Sequence, residues 1–257
     1  MSVSIELVKK IREATGAGLN DVKEALDEAQ GDEEKVLEIL RKRGQKLAAK
    51  KSERTAKEGV IAIYRQGNKV AVIGLNCETD FVARNQEFVQ AAESFASQLW
   101  EMGEADFKPW AEAEIKNNLI VKLGENLQLA FSQVIAGTAV GSYLHSNKKL
   151  AAVVVLKGGH EDLAKEVAMQ VTAMSPQYNR PADVPAEVID KEKEIYREQL
   201  RQAGKPDEMI EKILDGKINK FYTEVCLIKQ PFVKDDKISI EKLLNGVEVE
   251  RFSKFSL

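Results

Sequence analysis

The sequence predicts an α+β protein: a small three-helix module, then a core of two similar sheet-plus-helix subdomains, the second carrying an inserted antiparallel helical hairpin. Three observations predict it. Apolar residues recur at helical spacing through the first 45 positions, and beyond Gly59 the pattern changes to that of strands. The pattern Val60, Lys69, Val70, Ala71, Ile73, Leu75 returns eighty positions later as Val140, Lys149, Leu150, Ala151, Val153, Val155. Ala186 to Ala203 and Asp207 to Ile228 both read as helix and are joined only by Gly204-Lys205-Pro206, the short connection of a helical hairpin.

Each element follows from local chemistry. Ser4 can cap a helix carrying Ile5, Val8 and Ile11, which Gly16-Ala17-Gly18 breaks. Asn20 to Gln30 carries Val22, Leu26 and Ala29 and stops at Gly31; Asp32 caps a third helix with Val36, Leu37 and Leu40, for which Gly44 is a suitable C-terminal stop. A unit of this size, residues 1–45, has a thin core and suits docking better than catalysis. From Arg41 to Lys57 come Arg41, Lys42, Arg43, Lys46, Lys50, Lys51, Arg54 and Lys57 against Glu53 alone, so residues 46–58 read as a basic linker. Val60 to Tyr64 and Val70 to Leu75 flank Gln66-Gly67-Asn68, a hairpin signal. Asn85 can cap a helix from Gln86 to Gly103 with Phe88, Phe95 and Leu99 on one face; a further helix from about Trp110 to Leu123 and a strand from Leu127 to Ala136 close the subdomain at 59–138. In the second subdomain, 139–257, the repeated hairpin leads to a helix over Glu161 to Met174, the helical pair at 185–228 and a strand near Val247 to Phe255. The second arm of the pair has a stripe of Ile210, Leu214, Ile218, Phe221 and Val225; the first offers Val188, Ile189, Ile195, Tyr196 and Leu200 among many charges, so mutual burial is modest and the pair suits binding another chain.

Composition narrows the function classes. Hydrophobic content of 44% suffices for a sizeable core, and no apolar run approaches the length of a membrane span. Met1 to Lys10 lacks the charged-then-apolar order of a signal peptide, and Cys77 and Cys226 are too few for a disulfide framework, which together suit the cytoplasm. A net charge of -3 with 31% charged residues leaves basic surface only locally. Neither Gly204-Lys205 nor Gly216-Lys217 has the upstream glycine and following Ser or Thr of a phosphate loop, so direct nucleotide binding is not expected. The two histidines, His145 and His160, make no metal-ligand spacing with the cysteines, and no cofactor is expected.

The most informative stretch is Asn76-Cys77-Glu78-Thr79-Asp80-Phe81-Val82-Ala83-Arg84-Asn85, a short connector between a strand and a capped helix with an apolar tip. On composition alone, Phe81 and Val82 fold back under the following helix as core. As an exposed wedge held at both ends, the tip would lose little entropy on insertion into a partner. Cys77 beside Glu78 and Asp80 is a poor nucleophile, since neighbouring negative charge disfavours its thiolate; an inert core thiol is the plainer reading. His145, at the end of the Val140 to Leu144 strand, could be a general base but lacks a Ser or Cys partner, which leaves a hydrogen-bonded surface or interface imidazole. The cations of Arg41 to Lys57 could neutralise phosphates, although no aromatic residue is interleaved for stacking. An RNA-associated factor working through that run and an enzyme working through Cys77 or His145 are therefore the alternatives.

Thr15-Gly16-Ala17-Gly18-Leu19-Asn20-Asp21-Val22-Lys23-Glu24-Ala25-Leu26, Thr79-Asp80-Phe81-Val82-Ala83-Arg84-Asn85, Gly141-Ser142-Tyr143-x-His145 and Lys229-Gln230-Pro231-Phe232 together resemble the bacterial elongation factor Ts family over nearly the full length. The resemblance implies a ubiquitin-associated-like N-terminal module, and a guanine-nucleotide exchange factor that binds the GDP-bound GTPase elongation factor Tu and promotes exchange for GTP. It implies no enzymatic activity of the chain's own. Carried onto these residues, Thr79, Asp80, Phe81 and Val82 form the segment that disturbs the GTPase's Mg²⁺ site: Phe81 as the wedge, Asp80 perturbing polar contacts, Thr79 and Val82 shaping the tip. Secondary contacts map to the N-terminal module, to Gly124, Glu125 and Asn126, and to Tyr143 and His145 at the partner's other end. Self-association through the core or the helical hairpin is a further expectation. Longer members of the family continue past the last strand into a C-terminal helix that also grips the GTPase, whereas this sequence stops at Leu257.

Overall fold

A computed structural model describes residues 4–257, apart from the side chains of Leu47 and Ala48. Met1 to Val3, which open the Met1 to Lys10 stretch, lie outside the described residues. The fold is a mixture of helices and small sheets, and the chain separates into two units. One holds the chain up to Ile135 with Ser146–Lys149 and Ser256–Leu257; the other holds Ala136–His145 and Leu150–Phe255.

The first unit begins with α1 (Ile5–Thr15), α2 (Leu19–Glu28) and α3 (Glu33–Lys51). Val8, Ile11, Val22, Leu26, Val36 and Leu40 form their shared core. Asp32 caps α3 as expected, its carboxylate accepting from the Lys35 N–H at 3.2 Å. The helix does not stop at Gly44, however, and continues through half of the expected linker to Lys51. A Cβ on Gly44 would overlap the Val121 side chain, so this glycine serves close approach inside a helix rather than termination. Much of the basic run is also spent internally: Arg43 pairs with Glu24 at 3.0 Å and Glu28 at 3.1 Å, and Lys42 with Glu38 at 2.7 Å.

Strands β1 (Glu58–Gln66) and β2 (Lys69–Cys77) pair antiparallel around a tight turn at Gly67-Asn68, with Gln66 opposite Lys69 and Val60 opposite Leu75. Gly67 supplies the left-handed φ of 58° that such a turn needs. A short helix α4 (Asp80–Arg84) leads into α5 (Gln86–Met102), which packs across β1 and β2. Phe88, Phe95 and Leu99 lie on its buried face, as the periodicity predicts. The next helical segment starts earlier than Trp110. It runs as α6 (Glu104–Glu114) with Pro109 inside it, a π-turn at Ile115–Leu119 closed by the Ile120 N–H on the Ile115 carbonyl, and α7 (Ile120–Leu123). Phe107 joins Phe95 edge-to-face at 6.0 Å and Trp110 lies 5.1 Å from Phe95. Strand β3 (Gln128–Ala136) then lies beside β2.

In the second unit β4 (Ala139–Leu144) and β5 (Leu150–Lys157) form another antiparallel hairpin, with Val140 opposite Val155. Both partners of that pair sit eighty positions beyond Val60 and Leu75, so the sequence recurrence is carried into the pairing register. Helix α8 (Glu161–Met174) packs on β4 and β5, and β8 (Glu248–Ser256) lies beside β5. Helices α9 (Ala186–Gln202) and α10 (Asp207–Val225) form the expected hairpin with a small cluster of their own, Leu200, Ile210 and Leu214 flanked by Tyr196 and Ile213. After α10 come two elements without a sequence signal, the paired strands β6 (Pro231–Phe232) and β7 (Asp235–Ser239), followed by α11 (Ile240–Leu244). They are anchored by a buried amide network: Gln170 donates to the Gln230 side-chain oxygen and the Pro231 carbonyl, both at 3.1 Å, and accepts from the Val233 N–H at 2.8 Å.

Candidate functional site

The connector read as a tip is a single turn of helix standing on the end of β2. Thr79 is its N-cap, with the hydroxyl accepting from the Val82 N–H at 3.4 Å, and Asn85 closes it while capping α5 by accepting from the Glu87 N–H at 2.8 Å. Because the two helices share Asn85, the chain turns a fixed corner there. The two apolar residues of the tip then divide. Val82 packs against the core under α5, as does the fully inward Ala83, whereas Phe81 is 83% exposed. Composition alone assigns both to the core, and the structure moves one of them out. Leaving a phenylalanine in water forgoes about 1.5–3 kcal/mol of burial. Asp80 flanks it, held by Arg84 at 3.2 Å across one helical turn.

The base of the tip is fixed from a distant part of the sequence. After α7, Gly124 adopts a left-handed φ of 76° and delivers Glu125 against the connector. One carboxylate oxygen of Glu125 accepts the N–H groups of Glu78 at 2.9 Å and Thr79 at 3.0 Å; the other accepts the Thr79 hydroxyl at 2.5 Å. In return, Glu78 accepts the Asn126 N–H at 2.6 Å and pairs with Arg54 at 3.6 Å. Asn126 is buried and its side-chain amide donates to the Arg54 carbonyl at 2.6 Å, while the Lys51 ammonium donates to the Gly124 carbonyl. The stretch Gly124-Glu125-Asn126, expected as a secondary partner contact, is thus occupied with holding the connector. Sequence reasoning missed Glu125 and Arg54 in this role, since Glu125 reaches the connector across 46 residues or more and Arg54 reaches Asn126 across 72, with no local pattern to announce them.

Beneath the tip lies Cys77, fully buried, its thiol 3.2 Å from the Thr79 carbonyl. Burial, with the Glu125 and Glu58 carboxylates nearby, pushes this thiol up to about 12; burial likewise pushes Cys226 up to about 11. At pH 8 a thiol at about 12 is roughly one part in 10,000 thiolate, so it is no nucleophile. The native protein is therefore expected to resist iodoacetamide at pH 8 at both cysteines, and the denatured chain to take two labels by mass spectrometry. Rapid labelling of Cys77 in the native state would show that the connector opens.

Tyr143 and His145 are brought together at the end of β4, with the hydroxyl 3.2 Å from the imidazole Nδ1. Each thereby has a polar partner for a group that is partly withdrawn from water. His160 is the N-cap of α8, its Nδ1 accepting from the Leu163 N–H at 3.3 Å. Among the described residues, no group of three or more His, Cys, Asp or Glu is placed to hold a metal ion, and no helix is long and apolar enough to cross a membrane.

A family model described as Elongation factor TS matches residues 78–257, a match that opens at Glu78 and takes in the whole tip. The chain belongs to the elongation factor Ts family. Among relatives of that name, it is 40% identical to the one from Idiomarina loihiensis over 268 residues, covering 100% of this chain and 91% of the relative. The elongation factor Ts of Deinococcus radiodurans is 39% identical, with 98% and 99% covered, and that of Aquifex aeolicus 39%, with 100% and 98% covered. The elongation factor Ts likeness thus runs through both units and the N-terminal helices, and it gives the chain a role in translation elongation.

Proposed function

We propose that this protein is the guanine-nucleotide exchange factor of elongation factor Tu, binding the GDP-bound GTPase and releasing GDP by disturbing its Mg²⁺ and phosphate site. The observation that carries the reading is the 83% exposure of Phe81 on a helix of five residues fixed at both ends. An aromatic side chain already ordered for insertion is the usual anchor of a protein interface, and its rigid mounting spares the entropy of ordering. A GTPase holds its nucleotide through a phosphate loop and a bound Mg²⁺, so a wedge that shifts the helices around the metal weakens nucleotide affinity without chemistry of its own. In this reading Phe81 is the wedge, Asp80 perturbs polar contacts beside the metal, and Thr79 and Val82 hold the tip in shape. Tyr143 and His145 supply a second contact.

The rest of the chain is assigned accordingly. Residues 1–45 act as a ubiquitin-associated-like docking module, 46–58 as the connection, which begins inside α3, and 59–138 and 139–257 as related core subdomains with the hairpin at 185–228 inserted in the second. The protein works in the cytoplasm, binds no nucleotide itself and acts by binding alone.

Elongation factor Tu loaded with fluorescent GDP and chased with unlabelled GDP tests this directly. Substoichiometric amounts of the chain are expected to accelerate release, and an unchanged release rate overturns the reading. Linkage adds a second requirement: if the factor weakens GDP binding, GDP must weaken factor binding by the same ratio. Excess GDP is therefore expected to dissociate the isolated complex, and Mg²⁺ to promote this because it stabilises the nucleotide-bound state. A complex that stays assembled in light scattering at saturating GDP and Mg²⁺ would describe a passive partner instead.

A further inference from the structure

We propose that Glu125 is a positioning residue for the Phe81 tip, acting through Thr79 rather than by touching the GTPase; the inference rests on the exchange reading above. Helix α4 has five residues, too few to be stable without its ends, so its geometry depends on the Thr79 cap and on the burial of Val82 and Ala83. A threonine hydroxyl has one proton to give and lone pairs to accept with. Donation of that proton to Glu125 at 2.5 Å directs the lone pairs of Thr79 toward the Val82 N–H at 3.4 Å. The other Glu125 oxygen fixes the backbone on which this hydroxyl is mounted, through the N–H groups of Glu78 and Thr79. Thr79 is thereby held in side chain and main chain by one carboxylate, and both oxygens of that carboxylate are engaged within the chain.

Glu125 is itself rigidly presented. Its neighbours on either side are tied down as well, Gly124 to the last residue of α3 through the Lys51 ammonium and Asn126 to the turn that follows α3 through the Arg54 carbonyl. The Asn126 N–H on Glu78 completes a reciprocal clasp in which each segment's carboxylate takes the other's backbone N–H. Such a support sets where an exposed wedge stands without contributing surface to the interface.

The test is a double-mutant cycle on GDP release, with rate measured at saturating factor and the half-saturating factor concentration measured separately. Glu125→Ala is expected to lower the saturating rate by roughly 10-fold to 100-fold. Glu125→Gln is expected to restore most of it, since its amide oxygen can take both backbone N–H groups while its NH₂ donates to the Thr79 hydroxyl oxygen. In a Phe81→Ala background, Glu125→Ala is expected to add less than about 2-fold, because the element it positions is already gone. Effects that multiply in the double variant would assign Glu125 to direct contact with the partner, and an unaltered Glu125→Ala rate would show that the tip needs no such support. Either result overturns the proposal. Amide hydrogen exchange in the free protein provides an independent reading: Val82 and Ala83 are expected to exchange faster in Glu125→Ala and near the parent rate in Glu125→Gln, at unchanged circular dichroism. Should the parent protein release no GDP at all, the exchange reading fails, while those amides still decide whether Glu125 holds the tip.

Discussion

Replacing Phe81 by alanine is expected to cut GDP release from elongation factor Tu by roughly 30-fold to 1000-fold, the equivalent of about 2 to 4 kcal/mol for an anchoring aromatic at an interface. The same change should leave the fold intact. Phe81 is 83% exposed, so truncation removes little buried surface, and exposed substitutions ordinarily shift stability by less than about 0.5 kcal/mol. That combination separates a functional residue from a structural one. Stopped-flow release of labelled GDP alongside thermal unfolding measures both halves, and parental exchange by the variant would remove Phe81 from the mechanism. A loss of exchange accompanied by a large fall in Tm would instead make the residue structural.

Gly141→Ala is expected to produce the opposite profile, a severe loss of stability caused by a single methyl group. Gly141 sits in β4 where α8 crosses, and a Cβ there would overlap the backbone carbonyl carbon of Ala164 and the backbone nitrogen of Lys165. A side chain can rotate out of such an overlap, whereas helix backbone can only move away as a unit, and it would take Val167 and Val171 out of the core with it. Overpacking of this kind costs about 3 kcal/mol or more, or a Tm lower by about 6 to 12 °C in a chain of this size. Gly216→Ala is the control: beyond the neighbouring backbone of α10 itself, nothing lies within 4 Å of its added Cβ, and the gain in helix propensity should stabilise by up to about 1 kcal/mol. A Gly141→Ala protein that melts with the parent would mean that α8 does not approach β4 as closely as described.

Gly141 also illustrates what could be read in advance. It belongs to the run Gly141-Ser142-Tyr143-x-His145, which carries part of the family resemblance, yet nothing in the run says that a helix 20 or more positions later will lie against it. Features determined by neighbours in sequence were legible. The Gln66-Gly67-Asn68 turn between two apolar runs marked the hairpin of β1 and β2, Asn85 with Phe88, Phe95 and Leu99 marked α5, and Gly204-Lys205-Pro206 joined α9 to α10. Features determined across the fold were not. Gly44 has the chemistry of a helix stop, but contact with Val121 makes continuation favourable. Pro109 suggests a boundary that packing of Phe107 and Ala111 overrides. Strand β6 has two residues, too short for any period to show. At the tip, the residue types announced a connector with something to bind, but the separation of Phe81 from Val82 required knowing where α5 lies. The Glu125 clasp required knowing where the chain returns.

The π-turn at Ile115–Leu119 makes residue count, as distinct from residue identity, a constraint on this region. A wide turn holds one residue more than the regular helix it interrupts. Deleting any one of those five positions would restore ordinary pitch and leave everything beyond on its present face, whereas winding all five as regular helix would rotate everything beyond by about 100°. Ile120 would then leave the core, Val121 would leave the N-terminal cluster, and Glu125 would arrive facing away from Thr79. A single-codon deletion inside the turn is therefore absorbed, whereas losing the wide turn at full length would disconnect the N-terminal helices and the tip together.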